Sequence, residues 1–142
     1  MNREEINEYD LGLPVPIASL EERRRGIPAA VWDRLHRAKA KLGELFGPKL
    51  HEFRLFGSYA RNQFDDESDV DVLVLTDPIS VDEHDRAFSA LLRISGDGIY
   101  LSPLFLTVAE LDSLRAREKI LAQDIDREGI TVGCESDADR AS

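Results

Sequence analysis

The sequence predicts a single α/β domain, and three features lead to that prediction. The chain has 142 residues with 42% hydrophobic content, which suits one domain with one core. Segments with helical spacing of apolar residues alternate along the chain with short apolar segments of β-strand type. Gly, Pro, Ser and Asp separate these segments, where turns are expected. The alternation is typical of an α/β fold with three or more strands.

The N-terminal part predicts an arm followed by a helix. Residues 1–18 combine charges with Gly12, Pro14 and Pro16, a composition expected of an extended arm. The domain is expected to span 19–133. The charged run 21–25 is interpreted as a solvated helical face, with an anion site as the alternative.

A long helix is predicted over 28–46. Its start suits Pro28 in the first turn, and Gly47 marks its end. Trp32 lies one residue off the apolar stripe and is expected to pack in the core or at its edge. The stripe itself consists of Val31, Leu35, Ala38, Leu42 and Leu45.

The central stretch 53–77 contains two predicted strands joined by a turn and an acidic loop. The first strand, 53–56, ends at Gly57 and Ser58, and 59–63 can form one or two helical turns. The second strand covers 69–75.

The C-terminal half continues the alternation. A capping box at Ser80 predicts a helix to about Ile94. Strand 99–106 follows, and Pro103 favours an edge position or a bulge. A second capping box, Thr107 with Glu110, starts a helical region that closes at Gly129, and 130–132 returns as a short strand. The first of these helices is expected to bury Val81, Ala87, Phe88, Leu91 and Leu92.

The composition of the chain argues against several classes of function. The formal charge of −10 and the pI near 4.7 argue against general nucleic-acid binding, which depends on Lys and Arg. The single cysteine, Cys134, cannot form an intramolecular disulfide, and it begins a polar tail, 134–142, that is predicted to be disordered. No apolar run is long enough for a membrane span or a signal peptide. A cytoplasmic protein is expected.

Two carboxylates share one face of the strand 69–75. Side chains alternate faces along a strand, so Asp69 and Asp71 point the same way, with Cα atoms about 6.6 Å apart. Like charges at the start of an apolar strand repel each other unless a cation lies between them. Mg²⁺ is the natural candidate, since it binds one or two carboxylates together with substrate phosphates. The alternative is a solvated acidic turn, because five acids crowd 65–71.

The turn before the acidic loop has the features of a phosphate site. Gly57 allows the backbone to approach a ligand, Ser58 can donate its hydroxyl, and free N–H groups of a following helical turn attract anions. Arg61 adds a positive charge, and its guanidinium can donate two parallel hydrogen bonds to phosphate oxygens. The alternative for Arg61 is a salt bridge to Asp65 or Asp66.

The spacing of these residues resembles the signature of the polymerase β-like nucleotidyltransferases, especially the minimal nucleotidyltransferases paired with HEPN toxins. Their pattern is roughly G-S-x-A-R-G, a loop, then S-D-x-D-hydrophobic. Asn62 stands where glycine is usual. The matching residues are Gly57, Ser58, Ala60, Arg61, Ser68, Asp69 and Asp71. The resemblance implies a mixed sheet backed by helices, with Asp69 and Asp71 as catalytic metal ligands and Gly57, Ser58, Arg61 and Ser68 at the nucleotide.

One departure from the family concerns a third acid on a later strand, which usually completes the metal site. Strand 99–106 contains no carboxylate, and Ser102 or Leu104 occupies the corresponding place. Asp97, just before this strand, is a candidate substitute. Without a third acid, metal binding is expected to be weaker and help from a general base is missing.

The resemblance implies Mg²⁺-dependent transfer of a nucleoside monophosphate, AMP from ATP, onto a hydroxyl. A partner protein is the preferred acceptor, namely a HEPN-type RNase toxin whose antitoxin this protein would be. The alternative is a nucleotide-binding or neutralising subunit with little or no catalytic activity. A weaker alternative is a small-molecule nucleotidyltransferase that is completed by homo-oligomerisation.

Overall fold

The structure, a computed structural model, describes residues 18–133. The predicted tail and, apart from Ala18, the predicted arm lie outside this range. The described chain forms helices on both faces of a four-stranded sheet. In chain order the elements are α1 (Leu20–Arg25), α2 (Ala29–Phe46), a 3₁₀ turn (Gly47–Lys49), β1 (Leu50–Phe56), β2 (Val70–Thr76), α3 (Val81–Ile94), β3 (Leu101–Thr107), α4 (Val108–Ala116), α5 (Ile120–Glu128) and β4 (Ile130–Thr131).

The sheet is mixed, as the resemblance implied. Its strand order is β3-β2-β1-β4. The β2 and β3 strands run parallel, with α3 as the crossover between them, whereas β1 pairs antiparallel with both β2 and β4. Because β3 is an edge strand, Pro103 is accommodated there, which confirms the edge position predicted from the sequence.

Strand β2 is buried on both sides, and its two faces belong to different cores. Val70, Val72 and Val74 pack with α2 and α3 in the larger hydrophobic cluster. Leu73 and Leu75 pack with α4 and α5 in the smaller one. Asp71 shares the Leu73 face by alternation, so its carboxylate lies at the end of β2 on the α5 side of the sheet.

Local signals predicted the helix boundaries well. Both capping boxes are present, at Ser80 with Glu83 and at Thr107 with Glu110. Helix α3 ends at Ile94 as expected, and α5 is followed by Gly129. Trp32 is buried in the larger core, which confirms its predicted packing role. Within 18–133, every helix falls short of the length and apolar character that a transmembrane span requires.

The predicted burial of α3 was wrong for three of its five residues. Ala87 and Leu91 are buried, whereas Val81, Phe88 and Leu92 are 77%, 41% and 56% exposed. Small alanines bring α3 close to its neighbours along one narrow face. The larger apolar side chains therefore lie on a flank that contacts solvent.

The helical region predicted from Thr107 to Gly129 is divided in two. Helix α4 ends at Ala116, and Glu118 adopts a left-handed φ of 52° before α5 begins at Ile120. The two helices can then both pack on the Leu73 face of the sheet.

Candidate functional site

The β1–β2 connection brings Gly57 into contact with Asp71. The last residue of β1, Phe56, pairs with Asp71 of β2, so the chain turns away directly beside this carboxylate. Gly57 has a φ of 77°, which L side chains rarely adopt. A β-carbon at Gly57 would overlap Oδ2 of Asp71. Glycine is therefore required both for the backbone conformation and for the close approach.

The residues after Gly57 form a single hydrogen-bonded turn, the lower limit of the one or two helical turns predicted from the sequence, and not a regular helix. The N–H of Arg61 donates to the carbonyl of Gly57 at 3.2 Å, and that of Gln63 donates to Ser58 at 2.8 Å. Arg61 is the first residue whose N–H is bonded within the turn. The amides before it, including those of Ser58 and Tyr59, are thus left available to a ligand of the turn.

Asn62 explains how the chain departs from the family's usual glycine. Its φ is 58°, in the left-handed region that glycine favours and asparagine tolerates. Its side-chain amide donates to the carbonyls of Arg23 at 2.9 Å and Tyr59 at 3.3 Å. The substitution thus keeps the backbone conformation and adds an anchor to the end of α1.

The two aspartates differ in exposure and interact electrostatically. Asp69, just before β2, is exposed, whereas Asp71 is half-buried. Burial and the negative charge of Asp69 raise the pKa of Asp71, and the positive charge of Arg61 partly opposes this. Deprotonated Asp71 is thus a carboxylate that a nearby cation would stabilise, and its role as a metal ligand stays a prediction.

Arg61 has a different partner from the two proposed from the sequence. Its Nη1 lies 3.3 Å from Oε1 of Glu128, and its Nε donates to Gln63 at 3.3 Å. The alternative of a salt bridge to Asp65 or Asp66 was therefore wrong. Glu128 is the last residue of α5, which the fold brings next to the turn.

Ser68 holds the acidic loop. Its Oγ accepts a hydrogen bond from the N–H of Asp65 at 3.0 Å and donates to Oδ1 of the same residue at 3.2 Å. This local pair closes the loop just before Asp69.

The place of the third acid is occupied by Ser102, which pairs with Asp71 in the parallel β2–β3 register. Asp97 is not a substitute. Its carboxylate accepts from Arg34 of α2 at 3.0 Å, and it is 92% exposed. Among residues 18–133 no cluster of three acidic, histidine or cysteine side chains could hold a metal ion. The donor set fits a hard cation that is bound by two carboxylates together with ligand phosphates.

Arg23 is a buried residue that the sequence interpretation assigned to a solvated face. It is 5% exposed, and its Nη1 donates to the carbonyls of Ala60 at 3.0 Å and Glu128 at 2.6 Å. Burial lowers its pKa, and the charge of Glu128 opposes this effect. Within a run of three arginines, no local signal distinguishes Arg23 from its neighbours.

A pocket with a mostly apolar lining lies elsewhere in the structure. It has a volume of about 380 Å³ and lies beyond the opposite end of β2, where Thr76, Ile79 and Phe105 contribute to its lining. The paired aspartates and the glycine turn are not part of it.

The fold and the site together define an α/β protein in which a half-buried strand carboxylate, Asp71, lies against a glycine turn. The family model of the nucleotidyltransferase domain matches residues 35–123, more than half of the chain. The chain therefore belongs to the nucleotidyltransferase domain family, which confirms the resemblance found in its motif.

Solved structures with a similar fold include a protein from Sulfolobus solfataricus with a provisional nucleotidyltransferase name. It is 16% identical, with a TM-score of 0.48, and the match covers 83% of this chain and 90% of that one. A toxin-antitoxin structure with AMP-PNP is 23% identical, with a TM-score of 0.46 and coverages of 75% and 80%. A double Asp-to-Glu mutant of the toxin-antitoxin MntA-HpeT is 20% identical, with a TM-score of 0.46 and coverages of 72% and 80%. No curated protein matches the sequence.

Proposed function

We propose that this protein transfers AMP from ATP onto a hydroxyl of a partner protein in the cytoplasm. The observation that supports this most is the contact of Asp71 with Gly57. It puts a carboxylate that needs a cation directly beside a turn with available amides. An Mg²⁺-bound triphosphate supplies both the cation and the anion that this arrangement accepts.

Each site residue has a proposed role. Ser58 and the backbone of residues 57–59 would bind the β- and γ-phosphates, and Arg61 would neutralise their charge. Ser68 would keep the acidic loop closed. Asp69 and Asp71 would hold Mg²⁺, which when bound supplies charge neutralisation at the phosphates and polarises the α-phosphorus.

The proposed reaction is an in-line displacement. The acceptor oxygen forms a bond to the α-phosphorus, the bond to the bridging oxygen of the β-phosphate breaks, and pyrophosphate leaves. Because Ser102 stands where a third carboxylate is usual, the proton of the acceptor hydroxyl passes to solvent. Catalysis then depends on positioning and charge neutralisation by the turn and the aspartates.

The acceptor we propose is a HEPN-type toxin, which makes this protein its antitoxin. The support is the motif, from Gly57 to Asp71, which is similar to that of minimal nucleotidyltransferases paired with such toxins. Two of the structures of similar fold are described as toxin-antitoxin.

The test is incubation with labelled ATP, Mg²⁺ and the product of the neighbouring gene. Label transfer is expected with the wild-type protein and not with Asp69→Asn plus Asp71→Asn. Asp82→Asn plus Asp85→Asn, which removes the same charge from the exposed side of α3, should transfer normally. Transfer that survives the double substitution at the site would overturn the proposal.

A second candidate is a subunit that binds nucleotide and neutralises its partner without transfer. The observation that favours it is Ser102 beside Asp71, where a third carboxylate would complete the metal site. It predicts that the Asp69→Asn, Asp71→Asn protein still binds and still inhibits the partner. Loss of inhibition in a correctly folded variant would contradict it.

A further inference from the structure

The side chain of Glu128 fixes the orientation of Arg61. Glu128 is only 2% exposed, and its Oε1 lies 3.3 Å from Nη1 of Arg61. A buried carboxylate needs a charged partner, because burial without one is costly. Arg61 is therefore held on the Glu128 side of the turn, with little freedom to move away.

The main chain of Glu128 is tied to the same turn by a second route. Its carbonyl accepts from Nη1 of Arg23 at 2.6 Å, and the same nitrogen donates to the carbonyl of Ala60 at 3.0 Å. Arg23 is itself buried and anchored through Nε to the carbonyl of Ala18 at 3.0 Å. The end of α5 is thus linked to the turn once through a side chain and once through the backbone.

The contacts of Arg61 leave part of its guanidinium free to bind an anion. An arginine has five N–H donors. Nε faces Gln63 and Nη1 faces Glu128, so both protons of Nη2 are outside these two contacts. The N–H of Arg61 donates to the carbonyl of Gly57 at 3.2 Å, and Gly57 lies against the carboxylate of Asp71. Arg61 therefore belongs to the same turn that borders the proposed metal and phosphate site.

We propose that Glu128 is a positioning residue that holds Arg61 ready to bind the phosphates of the nucleotide. This inference rests on the proposed function. Glu128 acts only through Arg61 and does not contact the nucleotide. The carbonyl of Glu128 and Arg23 keep the turn in place independently of the Glu128 carboxylate.

The test is a thermodynamic cycle on Mg²⁺-ATP affinity, measured by calorimetry with the full chain. Glu128→Ala removes the carboxylate and keeps the carbonyl that Arg23 binds. It is expected to raise the Kd of ATP about tenfold, the range of a lost charge-assisted contact. Arg61→Ala should raise the Kd by a similar factor, and Glu128→Ala added to it should cause no further loss. Glu44→Ala, the same truncation on the exposed side of α2, should bind like wild type.

Each outcome has a defined meaning. The inference would be overturned if Glu128→Ala binds ATP with wild-type affinity. It would also be overturned if Glu128→Ala lowers the ATP affinity equally with and without the Arg61 side chain. A merely structural role of Glu128 predicts one of these two results. If Glu128→Ala does not fold, Glu128→Gln is measured instead. A rise in the Kd of ATP of about threefold that disappears in the Arg61→Ala background supports the positioning role of Glu128. Without such a rise, the positioning role is refuted. A wild-type protein that binds no ATP would overturn the proposed function itself.

Discussion

The carboxylate of Asp71 lies against the backbone of Gly57, at the point where β1 ends and the turn begins. The two residues are 14 positions apart in the numbering, and the antiparallel β1–β2 register brings them together. The proposed metal ligand and the proposed phosphate turn are consequently parts of one structural contact. Changes at either residue should affect both stability and nucleotide binding.

Gly57→Ala should destabilise the protein and abolish ATP binding. The φ of 77° strains any residue with a β-carbon, and the added carbon would displace Asp71. The expected loss is about 1–3 kcal/mol in the free energy of unfolding, measured by urea denaturation. Gly43→Ala is the control. Nothing lies within 4 Å of its added carbon, and removing a glycine from α2 should stabilise by about 0.5–1 kcal/mol. Equal stability of the two variants would contradict the role of Gly57.

Asn62→Ala should destabilise more than Asn62→Gly. Both variants lose the hydrogen bonds to Arg23 and Tyr59, but only alanine keeps the strain of a φ of 58°. The difference between them should be about 1 kcal/mol by thermal or urea unfolding. If the alanine variant is as stable as the glycine variant, the left-handed conformation is not the reason that asparagine is favoured at position 62.

Asp71→Asn should raise the melting temperature of the nucleotide-free protein by a few degrees. A carboxyl whose pKa is raised on folding destabilises the folded state when it is ionised at neutral pH, and burial and Asp69 raise the pKa here. Asp66→Asn, in the exposed part of the loop, is the control, because it removes the same negative charge from the protein as a whole without changing the half-buried carboxyl. Adding Mg²⁺-ATP should stabilise the wild type and not the Asp71→Asn variant. A lower melting temperature for Asp71→Asn would refute this account.

Ser102→Asp should strengthen metal-dependent activity. The new carboxylate would stand beside Asp71 in the sheet register, in the place of the missing third acid. Transfer to the partner is expected to become about tenfold faster or more, because a general base is restored. Ser102→Asn introduces a side chain of the same size without charge and should give no gain. A loss of transfer in a folded Ser102→Asp protein would mean that the position is not equivalent to the third acid.

Acid should weaken the link between α4 and α5 through Asp126. Hydrogen bonds from Arg115, at 2.9 and 2.7 Å, lower the pKa of Asp126 below its usual 3.8. A carboxylate with a lowered pKa stabilises the fold above its unfolded-state pKa, and this stability is lost as the pH falls through the folded value. Unfolding measured against pH should therefore show a decline below about pH 4 that is smaller in Asp126→Asn. An equal decline in stability with falling pH for the wild type and Asp126→Asn would contradict this.

Local patterns were sufficient to predict most of the fold and the position of the candidate site. Capping boxes at Ser80 and Thr107 are interactions between residues three positions apart, so the sequence alone specifies them. The alternation of β2 likewise determines that Asp69 and Asp71 share a face. The spacing from Gly57 to Asp71 was enough to identify the family.

By itself, then, the sequence determined the elements, their order and the residues of the central motif, because each depends on neighbours within a few positions. Only the tertiary structure decided how Arg61 is held and which arginine is buried. Arg61 and Glu128 are separated by 67 positions, and Arg23 and Glu128 by 105. No periodicity encodes such contacts, since they arise only when the end of α5 packs beside the turn. Packing also decided that Val81, Phe88 and Leu92 remain exposed, because Ala87 and Ala90 form the narrow face on which α3 rests.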